Sequence, residues 1–117
     1  MRAMRRAWPF LPEVRLFHSR AKARRFMRGH WDKTPKFIDG AGAQTWSCDG
    51  TSVVLMTYAG EREAEDALLA HEATHVVQHH FCDYLGEDDI GTEVMAYGVQ
   101  AVTEALMRAQ RKWRLRK

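Results

Sequence analysis

The sequence has few of the features that hold small secreted domains together or anchor a chain in a membrane. Only two cysteines are present, Cys48 and Cys82, and they stand in different segments without forming a CxxC pair. A disulfide framework is therefore not expected, and a reducing cytoplasm fits this composition better. No apolar run approaches the roughly 18 residues of a membrane-spanning helix. The basic start, MRAMRRAWPFLPE, lacks the apolar stretch and the cleavage site of a signal peptide.

Low-complexity tracts and internal repeats are also absent, and the chain has only 3 prolines. A chain of 117 residues, 45% of them hydrophobic and 28% charged, is long enough for one compact core and little more. We therefore expect one domain over residues 1–117, with flexible basic tails at 1–12 and 112–117.

Charge is unevenly distributed along the chain, although the net charge is only +3. Residues 1–36 contain eleven Lys and Arg against two acids, and residues 108–117 add six more bases. Residues 37–107 contain thirteen acids and a single base, Arg62. Such basic ends can bind nucleic acid or another acidic partner. No recognised nucleic-acid module accompanies them, so ends that stay solvated or pair with the acidic middle are the simpler interpretation.

The first half of the chain predicts a strand, a helix and a hairpin. Residues 13–18 alternate apolar and polar side chains as an edge strand does, and Ser19 can cap a helix that follows. Asp49-Gly50 is a strong two-residue hairpin signal between strands at 45–48 and 51–58.

The second half predicts two helices. Acids crowd the first turn after Gly60, and the apolar residues that follow surround most of the circumference, which indicates a largely buried helix. Leu85-Gly86 ends it, and a last helix capped by Asp88 or Asp89 covers roughly 89–111. The fold class is therefore α+β, with a short antiparallel or mixed sheet packed against these two helices.

His71, Glu72, Ala73, Thr74 and His75 form an HExxH motif within the first of the two helices. Side chains four residues apart share one helix face, so the two imidazoles can converge on one zinc ion. Glu72 lies about 100° around the helix from His71, close enough to take a proton from a zinc-activated water. A composition of six His and eight Glu yields such a motif by chance only roughly 0.02 times per chain.

A catalytic zinc site needs a third protein ligand. Glu93, eighteen residues after His75 and near the start of the last helix, is the preferred candidate. The alternatives are Asp83, Glu87 and Asp88. Tyr97, one turn beyond Glu93, can donate its hydroxyl to an oxyanion near the metal, and Tyr84 is the alternative donor.

The other histidines fit the motif less well. His79 is on the same side of the helix as His75, but it lies about 12 Å along the axis from His71, so the three cannot share one ion. A competing pair of His75 and His79 satisfies the spacing but leaves Glu72 without a role. His80 points to the far side of the helix.

The stretch LLAHEATHVVQHH followed by GTEVMAYGVQ resembles the active-site core of zincin metallopeptidases of the gluzincin type. HEATHVVQ is also close to the HELTHVVQ of small peptidase-like domains of bacteria and phages. The resemblance covers roughly residues 50–107, and it implies zinc ligands at His71, His75 and Glu93 with Glu72 as general base.

The resemblance also implies that the strand at 51–58 is the edge strand along which a peptide aligns. An unpaired strand edge can accept an extended peptide as one more strand. The expected peptide-contacting residues are Val53, Val54, Leu55 and Met56. The sequence departs from large gluzincins in lacking their second, helical domain, which favours a narrow substrate, a cleft wall supplied by a partner, or a lost activity.

Two functions follow from these expectations. The first is zinc-dependent hydrolysis of peptide bonds in a restricted protein substrate, including a protein bound to DNA, with the basic ends as anchors. The second is a non-catalytic module in which zinc stabilises a small core and the basic ends contact nucleic acid or an acidic partner. An open coordination position and a neighbouring glutamate favour hydrolysis.

Overall fold

A computed structural model describes residues 11–33, 35–86 and 91–116, apart from the side chain of Tyr84. The expected α+β class is confirmed. In chain order the elements are β1 (Glu13–Phe17), α1 (Arg20–Trp31), β2 (Ala43–Cys48), β3 (Thr51–Met56), α2 (Arg62–Gln78), a short π-helix (His79–Tyr84) and α3 (Thr92–Arg116). No helix of the described ranges is long and apolar enough to cross a bilayer.

The three strands form one mixed sheet in the order β1-β3-β2. β1 pairs in parallel with β3, with Glu13 opposite Thr51, and β2 pairs antiparallel to β3, with Cys48 opposite Thr51. β1 is an edge strand, as its alternating sequence predicts. The expectation that β3 is an edge strand is wrong, because β3 is the central strand and is paired on both sides.

Helices cover both faces of this sheet. On one face α1 packs through Ala23, Phe26 and Met27 against Val53 and Leu55 of β3. On the other face α2 and α3 pack against the alternate residues of β3. Because successive side chains of a strand point to opposite faces, a central strand between two helical layers has both sets buried. The unbroken apolar run VVLM in β3 is the sequence signature of that position.

Local sequence signals set the ends of most elements as predicted. The Ser19 hydroxyl accepts a hydrogen bond from the backbone N–H of Lys22 at 3.4 Å and so caps α1. Asp49 and Gly50 have φ of 50° and 79°, and two consecutive positive φ values make the tight turn that suits a twisted hairpin. Gly86, with φ of 72°, follows the π-helix.

α3 extends farther than its apolar pattern predicts. It begins at Thr92 and continues to Arg116, so residues 112–116 of the expected tail are helical. Most of the tail expected at 1–12 lies outside the described residues. Gly98 of α3 lies so close to α2 that an added Cβ would meet Cγ1 of Val77 at 3.1 Å. The proposed caps, Asp88 and Asp89, lie outside the described residues.

Candidate metal centre

The two histidines of the HExxH motif meet on the surface of α2. The Nε2 atoms of His71 and His75 are 3.1 Å apart, and their ring centroids are separated by 4.7 Å. The side chain of His71 is 65% exposed, so the pair opens to solvent. Two nitrogen lone pairs at this distance repel each other unless a proton or a cation lies between them.

The spacing of these nitrogens suits a zinc ion. Two nitrogens that each lie about 2.0–2.1 Å from one ion at a tetrahedral angle are roughly 3.3 Å apart. The observed 3.1 Å is close to that separation. The imidazoles of His71 and His75 therefore fit as two ligands of one zinc, and their arrangement follows from the four-residue spacing on a helix.

Glu72 lies buried beside the two imidazoles. Its Oε1 accepts a hydrogen bond from the Thr45 hydroxyl at 2.7 Å, and its Oε2 lies 4.0 Å from Nε2 of His71. One carboxylate oxygen is thus held by β2 while the other faces the histidine pair. This arrangement agrees with the side position that helical geometry predicts for Glu72 relative to His71.

Thr45 is the residue of this cluster that sequence reasoning missed. It stands 27 residues before Glu72 and carries no recognisable catalytic pattern. Only the packing of α2 against β2 brings the hydroxyl to the carboxylate. The nearest sequence signal is the hairpin, which places Thr45 on a strand just before the motif.

The remaining histidines of this region are separate from the pair. The rings of His75 and His79 are 6.5 Å apart, against 4.7 Å for His71 and His75, so the structure brings together the first pair rather than the competing one. Nδ1 of His79 is 2.5 Å from Oδ2 of Asp83. His80 is buried with its ring edge-on to Phe81.

Within the described ranges, no third His, Cys, Asp or Glu completes a metal-binding group. Glu93 is exposed in the first turn of α3, and its assignment as a ligand stays a prediction. Asp83 is engaged with His79. The alternatives Glu87 and Asp88 lie outside the described residues.

Only one of the two tyrosines expected near the metal has a described side chain. Tyr97 is 51% exposed on α3, and its role as an oxyanion donor stays a prediction. The side chain of Tyr84, the alternative donor, lies outside the described part of the chain.

The strand beside the motif is β2 rather than β3. Thr45 of β2 contacts Glu72 directly, and the far side of β2 pairs with no other strand in the described sheet. By contrast, Val53, Val54, Leu55 and Met56 are buried in a strand that is paired on both sides. No free backbone edge remains there for a peptide, so the basis for assigning substrate contacts to these four residues is removed.

A cavity of about 210 Å³ lies between the hairpin turn and the π-helix. Its lining includes Ser47 and Cys48 at the end of β2 together with His79 and Asp83. The HExxH residues do not line this cavity. Its wall at Ser47 and Cys48 belongs to β2, the strand that also carries Thr45.

A second buried carboxylate, Glu65, ties the start of α2 to the end of α3. It accepts hydrogen bonds from the backbone N–H of Gly60 at 2.9 Å, from Nε2 of Gln110 at 2.7 Å and from the guanidinium of Arg114. Burial alone raises the pKa of Glu65, but the hydrogen bonds and the charge of Arg114 outweigh it and leave the pKa below its ordinary value. This cluster fixes the helix that contains the His71 and His75 pair.

Residues 36–81 are similar to the family described as the eCIS core domain. The matched residues include both strands of the hairpin and the whole of α2 but leave out α3. No curated protein and no solved structure gave a significant match. The similarity thus falls on the segment that contains Thr45, His71, Glu72 and His75.

Proposed function

We propose that this protein is a zinc-dependent hydrolase that cleaves peptide bonds in a restricted protein substrate. The observation that carries the proposal is the pair of imidazole nitrogens 3.1 Å apart with the buried carboxylate of Glu72 beside them. Two nitrogens and an adjacent carboxylate are the parts that metal-assisted hydrolysis requires. The resemblance of the HExxH region to zincin peptidases supports the same chemistry.

The residues of the motif divide the chemical work. His71 and His75 would hold the ion, with Glu93 as the proposed third ligand. Zinc, when bound, supplies a Lewis acid that lowers the pKa of water and polarises a carbonyl group. Glu72 accepts the proton of the attacking water and passes it to the leaving amine. Tyr97 is the proposed donor to the oxyanion.

Substrate alignment is proposed along β2. An antiparallel strand whose outer edge is unpaired in the described sheet can add an extended peptide by backbone hydrogen bonds. Thr45 on this strand donates to Glu72, so a peptide beside β2 would lie close to the general base. The buried backbone of β3 cannot serve in this way.

The site also accommodates a non-catalytic function, in which zinc only stabilises the fold. Structural zinc sites are usually closed by four protein ligands, whereas the side chain of His71 is 65% exposed and that of His75 is half-buried. Openness therefore favours hydrolysis. Cys48 and Cys82 are free thiols, which suits the cytoplasm as the proposed location.

The direct test compares wild type with Glu72→Gln, an isosteric change that removes the base and leaves an amide to accept from Thr45. We measure zinc content after dialysis, and cleavage of casein and of a broad peptide library by mass spectrometry. The expected result is about one zinc per chain in both proteins and cleavage by wild type alone. A wild type that takes up no zinc refutes both zinc functions, and equal cleavage by the two proteins refutes the role of Glu72.

The ligand assignment has its own matched set. His71→Ala and Glu93→Ala should lower zinc retention strongly. The control is His79→Ala, which removes a nearby histidine that is hydrogen-bonded to Asp83 and should lower zinc retention far less. Equal zinc loss for His79→Ala and His71→Ala would contradict the chosen pair. Full retention by Glu93→Ala would return the third position to Asp83, Glu87 or Asp88.

A further inference from the structure

The two basic segments of the sequence meet at one point in the fold. His18, immediately before α1, stacks on Trp113 near the end of α3 with ring centroids 3.8 Å apart and planes inclined by 6°. Nε2 of His18 also donates to Oε1 of Gln110 at 2.6 Å. The short connection between β1 and α1 therefore contacts the last turns of α3, although almost a hundred residues separate them in the chain.

α1 contains five basic residues and no acid. Two of the five have structural roles: Arg20 pairs with Asp39 at 2.8 Å, and Arg24 lies over the ring of Phe37 at 4.9 Å. The other three are exposed and form no ion pair within the described residues; they are Lys22, Arg25 and Arg28.

The basic residues at the end of α3 likewise include some with acidic partners and some without. Arg108 pairs with Glu104, and Arg114 pairs with Glu65. The remaining described cations of this end are exposed and form no ion pair with any described carboxylate; they are Arg111, Lys112 and Arg116. Six exposed cations without described acidic partners therefore stand on α1 and on the last turns of α3, two helices on opposite faces of the sheet that approach each other where His18 stacks on Trp113. We call them the basic surface: Lys22, Arg25, Arg28, Arg111, Lys112 and Arg116.

We propose that the basic surface binds the phosphate backbone of a nucleic acid. The three cations of α1 are spaced three residues apart, about 4.5 Å each along the helix axis, so long side chains can reach successive phosphates. Unpaired Lys and Arg on a surface release the counterions of a polyanion when they bind it, and that release supplies the affinity.

Other anionic partners fit this surface less well. The apolar residues of α1, including Phe26 and Met27, are packed against the sheet, so the helix has no apolar face to insert into a membrane. Stable protein interfaces have apolar cores depleted of charge, whereas no large exposed apolar residue belongs to α1 and the described end of α3 adds a single one, Leu115. A polyphosphate needs neither feature.

The test measures binding of a labelled DNA duplex of about 20 bp by fluorescence anisotropy across a salt series. The triple variant Lys22→Gln/Arg25→Gln/Arg28→Gln should reduce the slope of log affinity against log salt by about 0.9 for each phosphate that is no longer neutralised, or up to ~2.7. Arg111→Gln/Lys112→Gln/Arg116→Gln should act in the same direction. Because none of the six cations forms an ion pair with a described carboxylate, the thermal midpoint should stay near that of wild type.

The matched single-charge controls are Arg25→Gln and Arg62→Gln. Arg62 is exposed at the start of α2 among acids, so its removal changes net charge equally without touching the basic surface. Arg25→Gln should lower the salt slope by about 1, and Arg62→Gln should leave it unchanged. Equal effects of the two, or no DNA binding at low salt, overturn the proposal. So does tighter binding to phosphatidylserine vesicles or to polyglutamate than to DNA.

Discussion

The pair formed by Glu65 and Arg114 should be a major determinant of stability, and Arg114→Ala is the perturbation that tests it. Glu65 is only 2% exposed, and Arg114 supplies the positive charge that pairs with its carboxylate. In the variant its carboxylate stays buried with hydrogen bonds from Gly60 and Gln110 but without a compensating charge. A folded state that contains an unpaired buried charge is destabilised.

The expected cost can be set from the surroundings. Removing one partner of a fully buried ion pair costs roughly 3–5 kcal/mol. The side chain of Arg114 is 36% exposed, so water screens the pair, and two hydrogen bonds remain for Glu65. We therefore expect a loss of about 2–3 kcal/mol at pH 7, which is below the range for fully buried pairs. For a domain of this size that corresponds to a midpoint lower by roughly 10 °C.

The cost should also depend on pH. In wild type the pKa of folded Glu65 lies below the ordinary 4.5, so the stabilisation is complete above pH 4.5 and is lost as pH falls through the folded value. In Arg114→Ala the charge of Arg114 no longer opposes the effect of burial, so the pKa of Glu65 in the folded state is higher than in wild type. The difference between wild type and variant should thus be largest near pH 7 and shrink below pH 4.5.

Urea denaturation at pH 7 and at about pH 3.5 measures these free energies. Arg108→Ala is the matched control, because it breaks an exposed pair with Glu104 on the same helix and should cost less than about 1 kcal/mol. Arg114→Ala should cost less in a Glu65→Gln background, where no buried charge is left unpaired. Equal costs for Arg114→Ala and Arg108→Ala, or an identical cost in both backgrounds, would refute the reasoning.

Three further predictions concern other parts of the molecule. Thr45→Val should lower peptide cleavage by about 10–100-fold with zinc content unchanged, because Glu72 loses its positioning hydrogen bond. Thr45→Ser should retain cleavage, and unaltered cleavage by the valine variant would contradict this role. Gly50→Ala should destabilise the protein by about 1–2 kcal/mol since the φ of Gly50 is positive. Gly29→Ala should stabilise it by up to about 1 kcal/mol because Gly29 is helical with open space around it, and thermal melting distinguishes these opposite signs. Leu106→Ala should cost about 2–5 kcal/mol in urea denaturation since Leu106 is 0% exposed, and a loss below 1 kcal/mol would mean that the core collapses around the gap.

Much of the fold was predictable because its signals are local. The Ser19 cap, the Asp49-Gly50 turn and the stop at Gly86 act within a few residues of chain, and each element boundary near them is as expected. The strand order was not predictable in this way. β1 pairs with β3, which lies nearly forty residues later in the chain, and this pairing depends on the helices that cover both faces of the sheet.

The sequence by itself determined the meeting of His71 and His75, because a four-residue spacing on a helix brings two side chains to one face regardless of the remainder of the fold. Tertiary structure alone decided which strand lies beside them, which hydroxyl holds Glu72 and how far α3 extends. Those outcomes rest on contacts between residues 27 to 49 positions apart, such as Thr45 with Glu72 and Glu65 with Arg114. Contacts at such separations form only once the helices and the sheet have packed, since packing offsets the entropy of closing the intervening loops.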